Sequence, residues 1–154
     1  MTPDKAYLSQ EKFEELRKEL EYLTTVRRRE VAAKLEYAKS LGDLSENSEY
    51  QEAREDQSAT EERIAKVESL IRSAEIVSRE SGDSVSIGSK VTVKKDGGGE
   101  STYEIVGEEE ADIVEKRISN RSPLGLAVMG KKKGDTVVVK APGGEARYTI
   151  LKVE

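Results

Sequence analysis

The sequence predicts an α+β protein in two parts: an N-terminal antiparallel α-helical coiled-coil hairpin, then a small domain with an antiparallel sheet and one helix. Three observations predict it. Residues 9–76 contain no proline and a single glycine, Gly42. Apolar residues recur on both sides of that glycine at alternating spacings of three and four, the period of a helical seam. Beyond residue 84 the apolar period changes to two, the period of a strand.

Ser9 is placed to cap the first arm. Phe13, Leu16, Leu20 and Leu23 form its stripe, which weakens at Arg27-Arg28-Arg29-Glu30 and resumes at Val31, Leu35, Ala38 and Leu41. After the break, Tyr50, Ala53, Gln57, Thr60, Ile64, Val67, Ile71 and Ala74 continue as a heptad seam. Two seams of similar length joined by a short polar connection bury each other most simply as a helical hairpin. At 1.5 Å per residue, an arm of roughly 33 residues extends about 50 Å. The expected boundaries are a hairpin over 1–77 with an acidic tip at 42–50, a polar linker at 78–84, and a second domain over 85–154.

In that second domain Val91 and Val93 lead into Asp96-Gly97-Gly98-Gly99, a hairpin turn, with Tyr103 and Ile105 on the return strand. A second hairpin places Val137-Val138-Val139 and Tyr148–Val153 on either side of Pro142-Gly143-Gly144. Between the hairpins, Ser122 as N-cap, Pro123 at the first helical position and Gly130 as the stop outline one short helix. Lys131-Lys132-Lys133-Gly134-Asp135 reads as a charged turn.

Composition narrows the chemistry. The 154 residues are 37% charged and 5% aromatic, too lean for one large core. Cysteine and histidine are both absent, which excludes disulfides, thiolate metal sites, a cysteine nucleophile and the commonest general base. Chemistry therefore falls to carboxylates, amines and hydroxyls. The net charge is −5, and the acidic excess lies in residues 1–77, with 13 Lys/Arg against 18 Asp/Glu. Such a balance opposes tight, sequence-independent duplex binding, so contact with nucleic acid is expected to be local or partner-assisted. No apolar run approaches the ~20 residues that span a bilayer, which predicts a cytoplasmic protein without membrane contact.

The tip, Gly42-Asp43-Leu44-Ser45-Glu46-Asn47-Ser48-Glu49-Tyr50, admits two readings. Asp43 can cap the second helix with Glu46 at its third position, leaving Glu49, Glu52, Glu55 and Asp56 as a solvated face. Alternatively, Asp43 and Glu46 converge on one hard cation such as Mg2+, which is typically held by one or two carboxylates and completed by waters and phosphate oxygens. An exposed pair has no substrate pocket or oxyanion donors of its own. It makes sense if the hairpin inserts the pair into another protein's active site, as ligands for the second ion of a two-metal phosphoryl-transfer centre.

The tip sequence, followed by Ala53-Arg54-Glu55, resembles the signature of the GreA/GreB family of bacterial transcript cleavage factors. The resemblance extends over nearly the whole chain, through Val26-Arg27-Arg28, Ile118-Ser119, Ser122-Pro123, the Gly130 to Asp135 loop and Pro142-Gly143-Gly144-Glu145. It implies a coiled coil that enters the secondary channel of RNA polymerase and an FKBP-like C-terminal domain that docks at the channel rim. It implies a monomer that stimulates the polymerase's own cleavage of backtracked RNA, rather than an enzyme. By position, Asp43 and Glu46 are then the acidic pair that helps retain the second Mg2+, shared with polymerase and not stably held by the free protein. Lys39 and Arg54 match residues that guide the nascent RNA 3′ end, and Arg121, Ser122 and Pro123 match the polymerase-docking loop. Tyr50 with Arg54 can equally be a local i,i+4 pair, and Ser122-Pro123 a plain helix start. Ser45 occupies a tip position that is lysine in well-known members of the family. The FKBP-like label does not extend to prolyl isomerisation, because Tyr103 and Tyr148 are too few for an aromatic proline pocket. Two rival readings stand beside this one: a secondary-channel inhibitor of polymerase, and a non-catalytic coiled-coil adaptor whose tip is only a capped turn.

Overall fold

The computed structural model describes residues 5–79 and 82–154. The chain divides into two compact units, Phe13–Ser73 and a second that joins the segment ending at Lys12 to Ala74–Glu154. The expected division at residues 77 and 84 is therefore shifted: residues 5–12 and 74–77 go with the sheet-bearing unit. Ala6–Leu8 (β1) pairs in parallel with Ala74–Ile76 (β2), extended by a Val77 N–H to Leu8 carbonyl bond of 2.9 Å, and Ser9 beside β1 is tied to Glu110 by two hydrogen bonds. Of the expected linker, Glu80 and Ser81 lie outside the described residues.

The first arm runs through α1 (Gln10–Tyr22), a π-helical turn at Leu23–Arg27 and α2 (Arg28–Ser40); the second arm is α3 (Ser48–Ser73). Ser9 caps α1 as expected, its hydroxyl accepting from Lys12 N at 3.1 Å. The buried seam is Leu16, Leu23, Val31 and Ala38 against Ala53, Thr60, Ile64 and Val67. Steps along the first arm are seven, eight and seven residues, so the middle step carries one residue more than a heptad. The π turn lies within that step and absorbs the extra residue, returning Val31 to the seam. Thr24 and Thr25 stitch the widened turn by donating their hydroxyls to the Leu20 and Glu21 carbonyls at 2.8 and 2.6 Å. This is the physical content of the weak stretch in the apolar stripe.

In the second arm, Gln57 faces solvent rather than the seam, and Ala74 belongs to β2. Thr60 is buried with its hydroxyl donating to the Asp56 carbonyl at 2.7 Å, so its polarity is satisfied. Ion pairs flank the seam across the arms. Arg63 grips Glu19 at 2.6 and 2.8 Å, Arg28 grips Glu61 at 2.8 Å through both oxygens, and Lys34 reaches Glu52 at 3.1 Å and Asp56 at 2.8 Å. The Arg28 hydrogen bond holds Glu61 below the usual carboxylate range, and Lys34 does the same for Asp56. Exposed pairs of this kind select register more than they stabilise.

The sheet-bearing unit holds five strands in the order β5-β4-β3-β7-β6: β3 (Lys90–Lys95), β4 (Glu100–Val106), β5 (Arg117–Ser119), β6 (Thr136–Ala141) and β7 (Gly144–Val153). Both expected hairpins are present, β3 to β4 and β6 to β7. The expected antiparallel sheet carries one parallel pairing, β4 with β5, at its edge. Val91, Val93, Ile105, Val137 and Ile150 alternate inward and pack with Val85 and with Val128 of α4 (Pro123–Val128). Gly107, just past β4, faces the Tyr7 carbonyl of β1 so closely that any Cβ would overlap it. Glu110, in the short 3-10 turn that follows, accepts from Ser9 N at 3.0 Å and from the Ser9 hydroxyl at 2.7 Å.

Candidate functional site

The hairpin turn occupies residues 41–47. Leu41 N and Gly42 N donate back to the Ala38 and Lys39 carbonyls at 3.2 Å, ending α2. Gly42 and Asp43 then both adopt the left-handed region, with φ of 77° and 47°. Glycine takes this conformation freely, and aspartate is among the few other residues that tolerate it. A turn from Asp43 to Glu46 follows, closed by Glu46 N donating to the Asp43 carbonyl at 3.3 Å. Both side chains are exposed.

The capping reading of Asp43 and Glu46 is overturned. Helix α3 begins at Ser48, and its cap is Asn47, whose Oδ1 accepts from Tyr50 N at 3.1 Å. Asp43 lies too early in the chain to reach the first turn's N–H groups in this geometry. Its Oδ1 instead accepts a hydrogen bond from the Ser45 hydroxyl at 3.3 Å. The Asn47 amide also donates from Nδ2 to the Ala38 carbonyl at 2.8 Å and the Gly42 carbonyl at 3.3 Å. One side chain thus joins the end of α2, the left-handed corner and the start of α3. No role was expected for Asn47, although an Asn directly before a long helical run is a recognised cap signal.

The other expected residues fall into two groups. Near the turn, Lys39 is exposed in the last turn of α2. Arg54 Nη1 donates to the Tyr50 hydroxyl at 3.0 Å, and its guanidinium lies 5.8 Å from the Tyr50 ring centroid, so the local i,i+4 pair is present. In the sheet-bearing unit, Ser122 caps α4 by accepting from Gly125 N at 3.1 Å and donating to the Ser119 carbonyl at 2.6 Å, with Pro123 opening the helix. Arg121 Nη1 lies 3.7 Å from Glu108.

Two oxygen-bearing acids on a solvent-facing turn are suitable donors for a hard cation such as Mg2+, but they are fewer than a self-sufficient site requires. Among the described residues no group of three or more acids, histidines or cysteines is arranged to hold a metal. The cavity of about 630 Å³ lined by Tyr7, Glu75, Val85, Asn120 and Met129 includes neither Asp43 nor Glu46. Among the described residues no helix is long and apolar enough to cross a membrane.

Comparison with known proteins gives this turn its context. Residues 6–76 match the family described as "Transcription elongation factor, N-terminal", and residues 80–154 match "Transcription elongation factor, GreA/GreB, C-term". Transcription elongation factor GreA of Clostridium acetobutylicum is 45% identical over 158 aligned positions, covering 100% of both chains. That of Geobacillus kaustophilus is 44% identical with the same coverage, and that of Bacillus subtilis is 45% identical over 91% of this chain and 90% of its own. Among solved structures, GreA factor homolog 1 of Thermus thermophilus aligns with 98% of this chain and 99% of its own at 24% identity and a TM-score of 0.46. With both parts of the chain matched and full-length relatives at such identity, the protein belongs to the GreA/GreB family of transcription elongation factors.

Proposed function

We propose that this protein binds bacterial RNA polymerase in the cytoplasm and stimulates the polymerase's own hydrolysis of backtracked nascent RNA, without being a nuclease itself. The observation that carries the reading is the tip geometry. Asn47, not Asp43, caps α3, so neither Asp43 nor Glu46 is committed to holding the helix terminus. The family's hairpin is read as entering the polymerase's secondary channel, where the two carboxylates add oxygen ligands beside those of the partner. The Mg2+ ion they would help hold supplies charge stabilisation and a water of lowered pKa when bound. Asp43 and Glu46 contribute negative charge and orientation; the Ser45 hydroxyl donates to Asp43 Oδ1 and helps orient that carboxylate. Lys39 and Arg54 are read as guiding the RNA 3′ end, with the Tyr50 hydroxyl orienting the Arg54 guanidinium. Arg121, Ser122 and Pro123 are read as the docking loop, held rigid by the cap at Ser122.

The test is a cleavage assay on stalled, backtracked elongation complexes with the parent protein and with Asp43→Asn/Glu46→Gln. Loss of the released 3′ fragment with retained polymerase binding supports donated carboxylates. Undiminished cleavage by the double variant refutes them, and slowed nucleotide addition without any fragment from the parent identifies an inhibitor.

A further inference from the structure

We infer that Asn47 is the positioning residue that holds Asp43 and Glu46 in their working arrangement, an inference that rests on the proposed role of those two acids. The carboxylates stand on a stretch whose other bonds, Gly42 N to the Lys39 carbonyl, Glu46 N to the Asp43 carbonyl and the Ser45 hydroxyl to Asp43, do not reach α3. Gly42 and Asp43 are both left-handed, a conformation from which the backbone gains nothing by itself, and residues 41–46 are all exposed. A turn of this kind samples many conformers unless its ends are tied. Asn47 supplies the tie. Its Oδ1 accepts from Tyr50 N at 3.1 Å, and its Nδ2 donates to the Ala38 carbonyl at 2.8 Å and to the Gly42 carbonyl at 3.3 Å.

The chemistry demands this residue type. An acceptor facing an N–H and a donor facing two carbonyls must come from one short side chain, and only the asparagine amide carries both at that length. Aspartate keeps the acceptor and lacks the donor. Serine keeps a capping oxygen but has one O–H on a shorter stem, which does not span to both carbonyls. The same partners fix the amide orientation, since the reverse would set donor against donor and acceptor against acceptor. The Gly42 carbonyl precedes Asp43 directly, so the bond from Asn47 acts one peptide away from the residue whose carboxylate must be aimed.

Asn47→Ser separates this function from capping, because serine is nearly as good an N-cap as asparagine. The full-length variant should retain parental helix content, melting temperature and polymerase affinity, while amide exchange at Gly42 and Glu46 accelerates. In the backtracked-complex assay its cleavage rate should fall about tenfold, and the Mg2+ concentration for half-maximal cleavage should rise, as for misplacement of a catalytic group by a fraction of an ångström. Asn47→Asp, which keeps the acceptor alone, should share the defect. Unchanged exchange, or unchanged cleavage and Mg2+ dependence in Asn47→Ser, overturns the inference. So does a cleavage loss matched by an equal loss of polymerase affinity. Parental cleavage by Asp43→Asn/Glu46→Gln overturns the reading of the acids themselves and the positioning role with it, whereas a defect there without one in Asn47→Ser removes only the positioning role.

Discussion

Replacing Gly107 with alanine tests how the N-terminal strand is seated. The backbone at Gly107 has φ of −69°, which any residue adopts, so the requirement for glycine there is steric. An added Cβ would lie 1.8 Å from the Tyr7 carbonyl oxygen and 2.9 Å from its carbon. Both are backbone atoms, so no rotamer change relieves the overlap, and β1 must leave its place. Its departure re-exposes Leu8, which is fully buried, at a cost of about 2 kcal/mol. It also releases the two bonds from Ser9 to the Glu110 carboxylate, each contributing about 1 kcal/mol after allowance for partial exposure. The expected loss is thus about 4 kcal/mol, a large fraction of the 5–15 kcal/mol typical of a folded protein. Urea denaturation of full-length Gly107→Ala measures it, and amide exchange at Val77, whose N–H bonds the Leu8 carbonyl, localises it. A change below about 1 kcal/mol with Val77 protection intact would refute the argument, since the strand would then have absorbed an atom at less than contact distance.

Three further predictions concern the helical unit. Lowering the pH should weaken the hairpin. The folded-state pKa values of Asp56 and Glu61 are depressed by Lys34 and Arg28, so their stabilisation is present above about pH 4 and is lost as pH falls through the folded values. A circular-dichroism melt series between pH 7 and pH 2 should show this, with a smaller change in about 1 M salt, where the Debye length is near 3 Å. Gly42→Ala should destabilise by about 1 kcal/mol in chemical denaturation, wholly from its left-handed φ, because nothing lies within 4 Å of the position a Cβ would take. Deleting Thr25 should convert the π turn to regular α-helix and leave the melting temperature equal or higher, because Leu23 and Val31 would then be a heptad apart; an unfolded hairpin would contradict the account of the turn.

Much of the architecture was legible because it depends on local periodicity. The two apolar stripes, the single glycine between them and the change to period two outlined the hairpin and the hairpin-built sheet. The caps at Ser9 and Ser122 follow from residue type directly before a helical run, a signal that needs no distant partner. Strands β1, β2 and β5 were not legible. Each is three residues long, too short for a pattern, and each exists only because a partner distant in sequence pairs with it. The boundary between the units moved for the same reason. Sequence showed the interruption near Arg27 only as a weak stripe, since a π turn leaves the residue types unchanged and alters only their count between seam positions.

By itself the sequence determined that this chain has a helical arm pair with acids at its turn, no thiol or imidazole chemistry, and the motifs of a known family. Residue type and spacing carry those facts, and no folding is needed to read them. The tertiary structure decided which side chain caps α3 and which are left exposed. Asp43, with Glu46 at its third position, and Asn47 both have the chemistry of a helix cap, and sequence could not rank them. The left-handed path through Gly42 and Asp43 carries Asp43 away from the helix terminus and brings Asn47 within reach of Tyr50 N on one side and the Ala38 carbonyl on the other. Hydrogen bonds form only between groups that the backbone brings within about 3 Å, and that proximity is a property of the fold.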